Sequence, residues 1–158
     1  MKNYLHLSML MAFAFVVTLL SGCASAPVYY HDVEASLTPQ PGKALVIFYF
    51  KKEMLTRNAR CQVYVNGQGI PGELRRGLFC TYQADPGKLK ITTTQSSGPA
   101  HAGDVAKKQP SLEVEAGQTY YVDMNLGFLG GNEKLRVVSQ ERAVRELKDC
   151  KWVNAVAR

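Results

Sequence analysis

Histidine is scarce in this chain, three among 158 residues, and tryptophan occurs once. His6 falls in an apolar N-terminal stretch, which leaves His31 and His101. Neither a Gly-x-Ser-x-Gly elbow nor a His-Glu-x-x-His pair is present, so those serine-hydrolase and zinc-protease patterns are excluded. The four cysteines include no Cys-x-x-Cys pair, which weakens zinc and thioredoxin-like readings. Charge is also missing from the start: after Lys2 the next charged residue is Asp32. No disordered composition is seen, since 46% of residues are hydrophobic and 20% charged.

The uncharged stretch has a specific form. Leu5 to Leu20 is apolar except for His6, Ser8 and Thr18. One lysine followed by such a run reads as a secretory leader, and the run is marginal for a permanent span, which needs roughly 20 apolar residues. Leu20-Ser21-Gly22-Cys23 closes it. These four residues resemble the bacterial lipoprotein box, in which the cysteine is lipidated and becomes the new N-terminus. That resemblance implies a leader over residues 1–22 and a triply acylated Cys23. Each buried CH₂ contributes about 0.8 kcal/mol, so three chains would hold the protein at the membrane. Ala24 follows Cys23 where retention in the inner membrane goes with Asp. By resemblance to that sorting rule, the outer membrane is the expected destination.

Residues 23–43 read as a flexible tether, with Pro27, Pro39 and Pro41 and no long apolar run. Val28-Tyr29-Tyr30 is its one sticky point. From Ala44 the pattern becomes that of strands, giving a domain over 44–158. Ala44 to Phe50 is seven apolar residues, which fits a strand buried on both faces. Cys61 to Val65 alternates, and Asn66-Gly67 suits a type I′ turn. The return strand, 68–74, holds Pro71, so an edge or bulge is expected there. Further strands are expected at 78–84, 89–94, 111–115, 118–126 and 133–139, with Asp85-Pro86-Gly87 and Ala116-Gly117 as turns. A helix is expected over 139–149, with Ser139 as N-cap and i,i+4 pairs Glu141/Arg145 and Arg142/Glu146. The expected fold class is all-β: an antiparallel β-sandwich of seven to eight strands with one C-terminal helix.

Several of these segments occur together in a recognisable order: the strand at 44–50, Val63-Tyr64-Val65-Asn66-Gly67 with Gly72-Glu73-Leu74, Tyr82 with Pro86-Gly87-Lys88, and Ala116-Gly117-Gln118-Thr119-Tyr120-Tyr121. They resemble the small bacterial lipoproteins grouped as domain of unknown function 2846, over about residues 44–147. The resemblance implies a compact β-sandwich on an exported lipoprotein. It transfers no active site.

Gly67-Gln68-Gly69-Ile70-Pro71-Gly72 satisfies G-x-G-x-x-G, yet a dinucleotide site needs a helix opening at the last glycines. Pro71 and the alternating residues after it point to a hairpin instead. His101 and Asp104 lie close in a loop at 96–110, and Glu113/Glu115 share a strand face; both pairs read as solvated. With Cys23 lipidated, Cys61, Cys80 and Cys150 remain in a compartment that permits disulfides. Cys61 shares a strand face with Val63 and Val65, and Cys80 with Tyr82 and Ala84. A Cys61–Cys80 disulfide is therefore expected, with Cys150 as the rival partner for either. No catalytic, cofactor-binding or metal-ligating residue is assigned.

Loss of Lys2 with the leader takes the formal net charge from +6 to +5. Lys51-Lys52, Arg57, Arg60, Arg75-Arg76 and Lys107-Lys108 fall at expected strand ends and loops, where anionic headgroups or wall polymers would be met. No basic platform interleaved with aromatics is present, so nucleic acid is not an expected partner. The expectation is a non-catalytic outer-membrane lipoprotein, attached through its lipid, whose sandwich binds envelope proteins or peptidoglycan. The alternative is an envelope hydrolase with its site in the 96–110 loop.

Overall fold

Ala44–Phe50, the seven-residue apolar run, forms strand β1, and all seven residues are buried. The reason is visible in the computed structural model, which describes residues 27–52, 60–95, 111–125 and 134–153. Ala44, Val46, Phe48 and Phe50 face a core between two sheets, whereas Leu45, Ile47 and Tyr49 face a second core on the other side. A strand covered on both faces has no position at which a polar residue is cheap, so it reads as a continuous hydrophobic run.

After β1 come β2 (Arg60–Val65), β3 (Gln68–Gly69), β4 (Leu74–Arg75) and β5 (Leu78–Ala84). They are followed by β6 (Gly87–Gln95), β7 (Ser111–Val114), β8 (Thr119–Asn125) and β9 (Lys134–Val138). The first sheet runs β10-β5-β1-β8-β9, where β10 is Lys151–Trp152. The second runs β3-β2-β6-β7, with β4 beside β2. The β2–β3 hairpin turns on Asn66 and Gly67, at φ of 51° and 83°, as the sequence pattern predicts. Pro71-Gly72 splits the expected return strand into β3 and β4.

The architecture is the expected all-β sandwich, with one correction to its pairing. β1 pairs antiparallel with β5 but parallel with β8, and β10 is parallel to β5. Alternation of side chains carries no sign of strand direction, so the sequence pattern left this undetermined.

The helix expected at 139–149 is α2, Gln140–Leu147, following a single turn α1, Tyr30–Val33. Ser139 occupies the N-cap position with extended backbone, although its side chain makes no cap bond. Ala143 and Leu147 turn inward onto the outer face of the first sheet. The Glu141–Arg145 and Arg142–Glu146 pairs close at 2.8 and 2.9 Å.

A larger correction concerns the expected tether. From Val28 onward the segment is docked. Val28 accepts the Trp152 N–H at 2.8 Å, and the Tyr30 N–H donates to the Cys150 carbonyl at 2.9 Å. Tyr30 is 1% exposed and packs against Phe79, Leu45, Ile47, Tyr121 and Leu147 in the outer core, with Val33 and Leu37 beside it. An eight-residue helix is too small to cover that apolar face, so the N-terminal arm completes a third layer. Replacing Tyr30 with Ala is expected to lower unfolding stability by about 3 kcal/mol, the scale for emptying an aromatic site. A urea titration reads this directly; an unchanged midpoint would show that the arm contributes nothing to packing.

Candidate functional site

The densest group of ionisable side chains sits where α2 crosses the first sheet. β1 brings Tyr49 to the outer face and Lys51 just past its end. β8 brings Asp123 opposite Tyr49 in the parallel register. α2 supplies Arg142 and Glu146 one turn apart. Glu146 is the hub. It accepts hydrogen bonds from Tyr49 Oη at 2.6 Å, Lys51 Nζ at 2.8 Å and Arg142 Nε at 2.9 Å. Lys51 Nζ also stands 3.4 Å from Asp123 Oδ2.

Asp123 is the one fully buried charged residue among those described, at 0% exposure. Neither of its oxygens accepts a hydrogen bond among the described residues. Burial pushes its carboxyl above the ordinary range, and the Lys51 ammonium only partly offsets this. Burial works in the same direction on Glu146, but the hydrogen bonds from Lys51, Tyr49 and Arg142 outweigh it and hold that carboxyl low. Burial, reinforced by the bond to Glu146, keeps the Tyr49 hydroxyl protonated. Two carboxylates thus meet two cations, and the cluster closes on itself. A raised carboxyl pKa is a feature of acid–base sites, yet a substrate cannot touch a side chain sealed from solvent. The arrangement acts as an electrostatic clamp that fixes α2 to the sheet.

The residues singled out from sequence do not converge. Cys23, Arg57, His101, Asp104, Lys107 and Lys108 lie outside the described residues. Gly67 to Gly72 runs through a hairpin, with no helix there to receive a pyrophosphate, and Asp85 of the next turn pairs with Lys43 at 2.5 Å. Glu113 and Glu115 are exposed. Arg60 and Arg75 both reach Glu73, at 3.7 and 3.3 Å. Among the described residues, no group of His, Cys, Asp and Glu is arranged to hold a metal ion.

The expected Cys61–Cys80 disulfide is not formed in this structure, where both residues are thiols. The premise behind it holds in part: Cys61 on β2 and Cys80 on β5 enter the same inter-sheet core from opposite sheets. Burial, and then the neighbouring Cys61, push the Cys80 thiol far up. Cys150 lies in the outer core, where burial pushes its thiol up to about 12.

The clamp was missed by sequence reading, apart from its Arg142/Glu146 pair. Its signal was a lone acid in the otherwise apolar Tyr121-Val122-Asp123-Met124 strand. Such a residue needs a cation, and only the fold brings Lys51 to it.

A family model described as "Protein of unknown function (DUF2846)" matches residues 40–134. The match spans β1 through β8 and ends before α2. No curated protein and no solved structure matches the chain.

Two measurements follow from this geometry. Glu146→Gln is expected to destabilise the fold by about 2 kcal/mol at neutral pH, the scale for hydrogen bonds to a charged group. Because the folded Glu146 carboxyl is held low, its contribution is present above the ordinary carboxylate pKa and is lost as pH falls through the lowered one. The two proteins should therefore converge in acid; a pH-independent difference would assign the loss to packing alone. Cysteine labelling reads the cores. Cys61, Cys80 and Cys150 should resist an alkylating reagent in the native protein and all three should react in non-reducing denaturant, whereas one reactive thiol would report the Cys61–Cys80 bridge.

Proposed function

The chain belongs to the DUF2846 family of proteins of unknown function, and from that premise we propose that it is a non-catalytic lipoprotein of the bacterial outer membrane whose sandwich serves as an interaction module. The observation that carries this reading is the Leu20-Ser21-Gly22-Cys23 box at the end of an uncharged apolar leader. The small residues before the cysteine suit the processing step, and the acyl chains on Cys23 would hold the domain at one surface.

The chemistry of the body supports the binding half of the reading. The carboxyls with shifted pKa values, Asp123 and Glu146, and the Tyr49 hydroxyl are engaged within one cluster with Lys51 and Arg142. What the domain offers outward is surface. β9 stands last in the order of the first sheet, and Val137 on it is 52% exposed, the one large hydrophobic residue so exposed among those described. A sheet edge with an apolar side chain suits an extended partner strand or a second envelope protein.

Replacing Cys23 with Ala is expected to leave the protein as an unprocessed precursor or a soluble domain. Fractionation of cell envelopes reads this, and normal recovery of the variant in the outer membrane would defeat the lipoprotein reading. Crosslinking of the wild-type protein in intact cells tests the second half, with capture of a defined envelope protein or wall fragment as the expected result. Turnover of a wall polymer or lipid by the purified protein, lost in His101→Ala, would establish the hydrolase instead.

A further inference from the structure

Four residues, and so five Cα–Cα steps, separate Cys23 from Val28, where the chain is already bonded to the domain. Fully extended, such a segment reaches at most about 18 Å. An anchor at Cys23 therefore keeps Val28 within about that distance of the membrane, and the charge of the surface near the arm decides which part of the domain meets it.

The arm cannot lengthen to relax this limit. Tyr29 bridges Lys151 in antiparallel fashion, Tyr30 is bonded to Cys150, and His31 Nδ1 lies 2.9 Å from the Lys148 carbonyl. Peeling it away would expose Tyr30 and open the outer core.

Charge then selects the surface. Lys43, Lys51, Arg60, Arg75, Arg142 and Arg145 are each ion-paired within the protein. Lys52, Arg76, Lys148 and Lys151 are exposed and in no ion pair among the described residues. These four are linked around the arm. Lys151 lies over the Tyr29 ring at 5.6 Å, its N–H donates to the Gly77 carbonyl, and Arg76 next to Gly77 donates to the Lys52 carbonyl. Three acids share the region: Asp149, Glu34 on the arm, and Asp32, which is engaged by His31 at 3.2 Å and by the Tyr29 N–H. Lys88 and Lys90 on β6 and Arg136 on β9 are also in no ion pair among the described residues, but they belong to other strands. Tyr29 and Trp152, both half-buried beside this group, are the side chains that favour a membrane–water boundary.

We propose that the domain rests in one fixed orientation on the bilayer that holds its anchor, with Lys52, Arg76, Lys148 and Lys151 against anionic phospholipid headgroups. The inference rests on lipidation of Cys23 and adds to it a defined membrane face. Basic residues this close to an anionic surface are attracted within a Debye length, so the contact weakens with salt.

The test uses the full lipidated protein in vesicles of phosphatidylethanolamine and phosphatidylglycerol carrying a headgroup quencher. A fluorophore is attached at Asp149→Cys on the proposed face, or at Ala116→Cys beside the turn whose Gly117 N–H bonds Lys43 at the far end of β1. Quenching is expected at 149 and not at 116. It should be lost in phosphatidylcholine, lost in high salt, and lost when the four cations are changed to Gln, while the protein stays on the vesicles. Anchored protein quenched equally at both positions, or insensitive to salt and to the four changes, overturns the orientation and leaves lipidation standing. Protein that does not partition with the vesicles overturns both. Protection of position 149 in cells but not in vesicles assigns the face to a protein partner and overturns the lipid contact.

Discussion

Everything in this fold depends on covering both faces of β1. Its even-numbered residues and its odd-numbered residues are equally apolar, so one layer of packing leaves half of them in water. The second sheet covers Ala44, Val46, Phe48 and Phe50. α2 and the N-terminal arm together cover Leu45, Ile47 and Tyr49. The three-layer arrangement, the parallel neighbour β8 and the docking of both chain ends follow from that demand. Parallel pairs generally need both faces buried, and here they have it.

The clamp belongs to the same logic. A short amphipathic helix holds poorly on a sheet by Ala143 and Leu147 alone. Lys51 at the end of β1, placed between Asp123 and Glu146, adds directional bonds at the helix's exposed flank. The cost is Asp123, a buried carboxyl that accepts no hydrogen bond among the described residues. A buried pair of this kind contributes little net stability against an apolar replacement, but it specifies one position for the helix over its neighbours.

Much of the fold was legible in the sequence because periodicity and turn chemistry are local. The limits of β1 and β5, the Asn66-Gly67 turn, the interruption at Pro71 and the terminal helix all follow from nearby residues. What was not legible required knowledge of partners distant in the chain. The arm looked like a tether because its prolines and polar residues leave no long apolar run, yet Tyr30 has a core waiting for it. β10 is two residues long, too short for any period to register. The site was the least legible part, since Lys51, Asp123 and Glu146 are far apart in sequence and nothing local says which cation the lone acid of β8 would meet.

The two ends of the described chain are sewn to each other. Val28 and Tyr30 are bonded to Trp152 and Cys150, and these in turn sit beside β5. A mechanical load applied on the N-terminal side of Val28 is therefore not borne by a loose leader or passed straight to β1. It falls first on the arm–β10 seam, whose few hydrogen bonds must open before Tyr30 can leave the outer core. The domain behaves as a loop closed by a small clasp, and the clasp rather than the sandwich sets the force at which the protein begins to yield.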